Sequence, residues 1–416
     1  MKSVPLQGRI YQWVLVGLLS LNFGVVFFDR NSINYLMPFI QPQLHLSNTA
    51  IGELASALSL SWALAGLFVG RLSDYLGKRK IILVVCAFVF SASSLLSGLA
   101  ASFAMLMAAR LLMGVAEGGV MPISQALVAA EVEPQRRGLA MGAAQNFGAN
   151  LLGNTLAPLV LTAFALSFGW RNAFNLAAVP GFVLALLMLW LIRDPQVKPP
   201  QAVVPGAAPD SILTVLARRN IWICVVLSIL LVAFLVVLLA FMPNYLVQVR
   251  GMDKTLESWL ISMWGLPSML YAFLIPGSSD FVGRRPIVII MGAASALIPL
   301  GVLLSDPSGS VWPLFVLFGL GATVSGIYPL VMATIPSETV AESQLATVMA
   351  LTMGLGEIIG GVASPTLAGM AADAFGPRAI LWILLGMSIA LFGFALGLKE
   401  TAPAALRRRS LALSTS

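Results

Sequence analysis

Two heptapeptides decide how this chain is read: Ser73-Asp74-Tyr75-Leu76-Gly77-Lys78-Arg79 and, 206 residues later, Ser279-Asp280-Phe281-Val282-Gly283-Arg284-Arg285. A second landmark, Gly169-Trp170-Arg171, returns as Gly376-Pro377-Arg378 at an offset of 207. Both offsets lie close to half of the 416-residue length, so the chain reads as one fold used twice. Within each heptapeptide the glycine permits a tight reversal between two helices. The aspartate can cap or attract a neighbouring helix N-terminus, and the basic residues suit lipid headgroups. One reading is a cytoplasmic gating latch: Gly70, Asp74, Gly77 and Arg79 in the first copy, Asp280, Gly283 and Arg284 in the second. A hairpin carrying a positive cluster, with no gating role, is the other.

Outward from these loops the sequence is apolar. It is 59% hydrophobic and 10% charged, with a mean hydropathy of +0.93, whereas a soluble domain carries about 25% charged residues. That excludes a cytosolic enzyme, a secreted disulfide scaffold and a disordered chain. Runs able to cross about 30 Å of hydrocarbon fall at 11–40, 48–72, 80–101, 103–131, 138–166, 170–193, 219–248, 255–282, 286–304, 311–336, 342–371 and 377–398. None shows the alternation of a barrel strand, and only helices otherwise satisfy the backbone in lipid. The expectation is an all-α polytopic membrane protein of twelve transmembrane helices in two pseudo-symmetric six-helix bundles. Their bounds are 1–193 and 219–400, with a proline-rich cytoplasmic linker at 194–218 and a basic tail at 401–416. The first run carries Asp29-Arg30 and lacks a cleavage site, so it reads as a retained span. Arg171, Arg250, Lys254 and Arg378 are the basic residues on one side, Arg30 and Arg110 lie in the membrane, and the remaining eighteen of 24 share the side of both termini. This bias predicts cytoplasmic termini in a cytoplasmic inner membrane. Cys86 and Cys224 both lie within apolar runs, so neither a disulfide framework nor a metal site is expected.

A charge at mid-bilayer costs about 2.5–3.5 kcal/mol or more, so intramembrane ionisable residues are functional candidates. Span one holds Asp29 and Arg30, span four Arg110 and Glu117, and span eleven Glu357, whose role the sequence does not assign. Glu53 and Glu257 read as interfacial. With a rise of about 1.5 Å per residue, Asp29, Arg30 and Arg110 reach similar depths, with Glu117 deeper. Arg110 and Glu117 stand two turns apart on one helical face, so all four can meet if spans one and four are neighbours. Arginine keeps its proton and matches a carboxylate bidentately, which makes Arg30 and Arg110 anion ligands. A partly desolvated carboxylate can exchange protons near neutral pH, which makes Asp29 and Glu117 proton-coupling candidates. His45, the sole histidine, follows span one and offers no alternative at that depth. Static, charge-neutral pairing of the four is the competing reading.

Span five adds Gln145, Asn146, Asn150 and Asn154, the asparagines at i, i+4 and i+8. They fit a cavity wall offering hydrogen bonds to hydroxyls, or equally helix–helix glue. Tyr245 and Tyr328 are candidate substrate contacts from the second half, with Trp264 and Tyr271, though packing explains any one of them as well. No P-loop, HExxH, CxxC or GxSxG occurs, so neither direct ATP drive nor enzyme chemistry of those kinds is expected.

Twelve spans, parallel halves, a proline-rich centre and Gly70–Lys80 with its weaker copy Gly277–Pro286 resemble the major facilitator superfamily across essentially the whole chain. Phe28–Pro38 (FDRNSINYLMP), Arg110–Gly119 (RLLMGVAEGG) and Gly169–Phe174 (GWRNAF) resemble its anion:cation symporter family. The resemblance implies Asp29 and Glu117 as proton-handling carboxylates and Arg30 and Arg110 as the groups that position an anion. It implies no cofactor beyond the coupling proton and no enzyme activity. Import of a small organic anion (sugar acid, carboxylate or aromatic acid) by proton symport with alternating access would follow, in a functional monomer embedded in lipid, without nucleic acid. The span-five start departs from the family's aromatic-rich pattern. A same-fold exporter, or a spinster-like lipid or amphiphile carrier using proton antiport, shares the Asp-Arg and Gly-Trp-Arg elements and is the alternative. A membrane sensor would need a signalling domain for which the short tails leave little room.

Overall fold

A computed structural model describes residues 8–133, 136–193, 216–403 and 405–407. Among them every regular element is helical, and eleven helices are long and apolar enough to cross a membrane. In chain order these are α1 (Gly8–Leu44), α3 (Arg79–Gly98), α4 (Phe103–Glu131), α5 (Ala140–Phe168), α6 (Trp170–Leu191), α7 (Arg219–Gln248), α8 (Lys254–Val282), α9 (Arg284–Leu304), α10 (Trp312–Thr339), α11 (Thr347–Phe375) and α12 (Ala379–Leu396). A further helix, α2 (Asn48–Leu76), has the length of a span, 29 residues. Counted with the others it completes the expected twelve. Most of the sequence-assigned linker, residues 194–215, lies outside the described residues, as does the tail beyond Arg407.

Local chemistry sets the helix ends. Ser47 and Ser102 cap α2 and α4, accepting from the amides of Ala50 and Met105 at 3.1 and 3.3 Å. Asp253 caps α8 by accepting from Thr255 and Leu256 at 2.8 and 3.2 Å, and these amide bonds hold its carboxyl below the ordinary value. Such caps satisfy amides that the first helical turn leaves unpaired.

One repeated landmark keeps its hydrogen bond and the other its backbone conformation. Gly77 and Gly283 each donate to the carbonyl of the serine four residues earlier, Ser73 and Ser279, at 3.0 Å, with φ of 62° and 117°. Gly169 and Gly376 share φ of 82° and 87° with ψ of 156° and 162°, a region that only glycine occupies without strain. A third repeat was not anticipated. α5 is π-helical over Ala149–Leu156 and α11 over Gly356–Ala363, again 207 residues apart. Pro158 and Pro365 stand two residues beyond. Proline lacks the N–H and its ring crowds the carbonyl four residues back, which widens the turn before it.

By compactness the chain forms two units, one of Met1–Ala202 with Met242–Gly265, the other of Val203–Phe241 with Leu266–Ser416. The short stretch spanning the α7–α8 turn therefore groups with the first six helices. In the first unit Asn244 donates to Gln41 at 2.7 Å, Gln248 to the Pro38 carbonyl at 2.9 Å and Ser262 to the Thr155 carbonyl at 2.8 Å. The core of this unit is apolar, built on Leu15, Leu19, Leu83, Phe90, Leu127 and Met188, all fully buried.

The two loop glycines differ in what alanine would cost. Gly77 lies in the left-handed region, where Ala loses roughly 1 kcal/mol. Gly283 combines φ 117° and ψ 149° with a carboxylate oxygen of Glu400 only 2.5 Å from where a Cβ would sit. Thermal unfolding in detergent should show Gly283→Ala lowering the melting temperature clearly more than Gly77→Ala.

Candidate functional site

The charged residues of α1 and α4 meet inside the first unit. Arg110 donates from one guanidinium nitrogen to the carbonyl of Arg30 at 3.1 Å, and Arg30 faces Glu117 across 3.9 Å. Asp29 accepts from the Ser94 hydroxyl of α3 at 2.5 Å. The convergence expected from helical spacing is thus present. Exposure divides the four unequally: Asp29, Arg110 and Glu117 are at most 1% exposed, while the Arg30 side chain keeps 16%. Asp29 turns toward α3 and α6, since Ser94 also donates to the Phe174 carbonyl at 3.2 Å.

Close helix approach makes this meeting possible. A Cβ on Gly114 would overlap the Ser61 side chain, and one on Gly118 would lie 2.5 Å from the Trp62 carbonyl. The glycines of the span-four motif therefore let α2 lie against α4. That brings the Trp62 ring to 5.4 Å from the Arg30 guanidinium, with Phe27 at 5.9 Å. Aromatic faces attract the cation and hold its plane without satisfying its N–H groups. The Glu117 carboxylate accepts no hydrogen bond among the described residues, and Arg110 Nε and one terminal nitrogen donate none there. At 3.9 Å the Arg30–Glu117 pair is loose, well beyond the roughly 2.7–2.9 Å of a charge-assisted hydrogen bond.

The polar stripe of α5 joins helices, the second of the two uses open to it. Asn31 of α1 donates to Asn154 at 3.0 Å, Asn154 to Asn150 at 3.1 Å, and Asn150 to the Asn146 carbonyl at 3.0 Å. Asn154 is buried and joins two helices, whereas Gln145, Asn146 and Asn150 are half-buried. Tyr35 supports the same contact by donating to the Gly153 carbonyl at 3.0 Å.

Other candidates sit elsewhere. Tyr245 is 5% exposed, within the α7 segment that belongs to the first unit. Tyr328 is in the second unit and donates to Glu357 at 3.2 Å. Gly70 and Asp74 fall on the last turns of α2, and their side chains lie outside the described residues. Arg79 reaches the Ala126 carbonyl of α4 at 3.5 Å. In the second copy Arg284 is clamped by Asp280 at 2.6 Å and Glu338 at 3.0 Å, with the Ser279 hydroxyl at 2.5 Å. Glu400 accepts from the amides of Arg284 and Arg285 at 2.8 and 3.2 Å, stitching the segment after α12 onto the start of α9. Glu257 stands in the first turn of α8, near the helix end as its sequence position implied, and is only 1% exposed there. The α7–α8 stretch folds onto the first unit and covers it.

Ser94 and Trp62 were not anticipated. Ser94 lies 65 residues from Asp29 and carries no spacing signal, although the buried run Ser91, Ser93, Ser94 and Ser97 in an apolar helix was a legible hint. Asn22, two turns before Asp29 on the same face, is fully buried with neither amide atom hydrogen-bonded among the described residues.

Two repeated helical units with charges buried at membrane depth define a secondary transporter, not an enzyme. The chain belongs to the Major Facilitator Superfamily, whose pattern matches residues 19–358. It is 24% identical to a probable sulfoacetate transporter of Cupriavidus necator, over 58% of each chain. It is 26% identical to the hexuronate transporter of Bacillus subtilis, over 69% of this chain and 72% of that one. A solved bacterial homologue of the lysosomal transporter Spinster, in an inward-facing, unoccupied conformation, superposes with a TM-score of 0.70, covering 94% of this chain and 95% of that one at 19% identity.

If Ser94 is the hydrogen-bond donor that offsets the burial of Asp29, Ser94→Ala should cost about 1–3 kcal/mol in thermal or denaturant unfolding. A double-mutant cycle with Asp29→Asn should return a coupling energy well above zero, whereas additive effects would dissolve the pair.

Proposed function

We propose that this protein imports a small organic anion together with protons by alternating access, as a monomer in the cytoplasmic membrane with both termini in the cytoplasm. The observation that carries the reading is the loose contact between Arg30 and Glu117. Arg30 is the least buried of the four charges, its guanidinium is oriented by Trp62 and Phe27, and the carboxylate it faces gives it no close hydrogen bond. A substrate carboxylate or sulfonate competes with Glu117 for that guanidinium. Protonating Glu117 withdraws the competitor, so proton uptake and anion binding favour each other through a shared partner. Asp29 and Arg110 then form the buried half of the relay. Arg110 fixes the Arg30 backbone, and Asp29 exchanges its proton when helix movement opens the Ser94 contact.

The half-buried amides of Gln145, Asn146 and Asn150 lie on α5, which packs on α1 through Asn31 and Tyr35. They are suited to hydrogen-bonding the neutral part of the anion. The names of the relatives support an anionic substrate, since sulfoacetate and hexuronate share only their acid group and small size. Movement of a monovalent anion with more than one proton carries net positive charge inward, so a negative interior drives it. The likeness to the Spinster homologue speaks for the fold. Two arginines at membrane depth favour an anion over a lipid or neutral amphiphile.

Candidate acids are first found by thermal shift, since a ligand that binds the folded state raises the melting temperature. In proteoliposomes with an inward proton gradient, Glu117→Gln and Asp29→Asn should abolish accumulation while retaining exchange between loaded and external anion. Arg30→Ala should abolish both. Full concentrative uptake by both carboxylate variants would end the proton assignment.

A further inference from the structure

The face of α4 that carries the charged cluster continues past Glu117. Arg110, Glu117, Ser124 and Glu131 follow one another at seven-residue intervals, two helical turns each, and so share one face of the helix. The first three are at most 4% exposed, and Glu131, the last residue of α4, is half-buried. On α1 the same interval separates Asp29 from the fully buried Asn22. The portion of α4 from Val120 to Glu131 packs on both α1 and α3. A rise of about 1.5 Å per residue puts Ser124 roughly 10 Å beyond Glu117, and Asn22 as far from Asp29. Both steps lead toward the side of the membrane that the charge bias assigns to the cytoplasm.

Hydrogen bonding along this face is unusual for a packed interior. Ser91, Ser93 and Ser97 of α3 each donate to the carbonyl four residues back, at 2.8, 2.8 and 3.0 Å, a common way for a helix to satisfy a buried hydroxyl. The Ser124 hydroxyl has no partner among the described residues, and neither do the two amide atoms of Asn22. Their chain neighbours Val25, Val26, Ile123 and Leu127 are buried and apolar. A buried polar group left unmatched costs about 1–3 kcal/mol, and a water that donates and accepts removes that cost. Beyond Glu131 the chain turns, with Arg137 donating to the Val132 carbonyl at 2.9 Å. Val132 lines a cavity with Gln12 and Val16 of α1 and the exposed Arg136. Val16 stands six residues before Asn22, so the cavity meets α1 beyond Asn22 and α4 beyond Ser124.

We infer that this face is the route by which the coupling proton leaves Glu117 for the cytoplasm, with Ser124 and Asn22 holding the bridging waters and Glu131 receiving the proton beside the cavity. This rests on the proton-symport reading above. The steps of roughly 10 Å are too long for direct transfer between side chains, so water carries the proton between them. The Glu117 carboxyl gives its proton to the first water and is left as the carboxylate that faces Arg30. A hydroxyl accepts one proton while giving up another, so Ser124 relays it. The Asn22 amide donates and accepts hydrogen bonds without exchanging its charge state, so it is a positioning residue for water. Glu131 takes the arriving proton on its carboxylate and surrenders it to bulk water.

Full-length protein in proteoliposomes of one insertion direction is given an inward proton gradient, with D-glucuronate and sulfoacetate as probes. Net uptake requires proton release in every cycle, whereas exchange of loaded for external acid does not. Asn22→Leu, Ser124→Ala and Glu131→Gln should each slow net uptake by about tenfold or more, less than a directly acting proton-transfer group supplies, and leave exchange at the wild-type rate. Raising the buffer concentration on the release side should restore Glu131→Gln, since a mobile base can replace the carboxylate at the cavity, and should not restore Asn22→Leu. Equal loss of net uptake and exchange would make the three residues structural and overturn the route. Wild-type net uptake in all three variants would overturn it too, as would a Glu131→Gln defect indifferent to buffer. Each of these outcomes leaves proton symport standing. Wild type accumulating neither acid under the gradient would remove the symport reading and the route together.

Discussion

An uncompensated charge inside a membrane is too expensive to keep, and the first unit is arranged around that constraint. Asp29, Arg30, Arg110 and Glu117 supply two charges of each sign, and three of them are almost entirely shielded from solvent. Their neighbours make the burial tolerable. Ser94 and the Arg30 carbonyl supply hydrogen bonds, while Trp62 and Phe27 supply aromatic faces. Compensation at these distances demands that α1, α2, α3 and α4 lie close together. The glycines of α4 follow from that demand, since any side chain at Gly114 or Gly118 would push α2 away. A motif that looks like a string of small residues is thus the packing condition for an electrostatic one.

Compensation is nonetheless incomplete. Both oxygens of Glu117 and one of Asp29 accept no hydrogen bond among the described residues, and two nitrogens of Arg110 donate none. In a static core such groups would be a defect, because each unmade bond forfeits the desolvation already incurred. In a protein that must exchange partners they are what allows more than one arrangement of similar energy. The Arg30–Glu117 separation of 3.9 Å belongs to the same pattern.

Much of the fold was legible because the bilayer leaves few choices. Length and hydropathy gave the spans, and the Ser73–Arg79 and Ser279–Arg285 copies gave the repeat, down to glycines with positive φ at Gly77 and Gly283. Helical spacing was enough to bring Arg110 and Glu117 to Arg30. Partners drawn from other helices were not legible. Ser94 and Trp62 meet the cluster through packing, which leaves no periodic trace in sequence. The burial of Glu257 was not legible for a related reason: its position near a helix end says nothing of the packing that leaves it 1% exposed. The π-helical stretches were written in Pro158 and Pro365, but a proline inside a span is common enough that only the conformations reveal the matching offset.

Repetition of fold with divergence of charge is where the structure leads. Both units bend the equivalent helix at the same place by the same proline device, yet the first places an asparagine chain there and the second a glutamate held by a tyrosine. Basic residues at membrane depth belong to the first unit alone, through Arg30 and Arg110. A proline two residues beyond each π-helical stretch sets the backbone of the bend and leaves its side chains free to differ, so the repeat is kept in conformation and lost in chemistry.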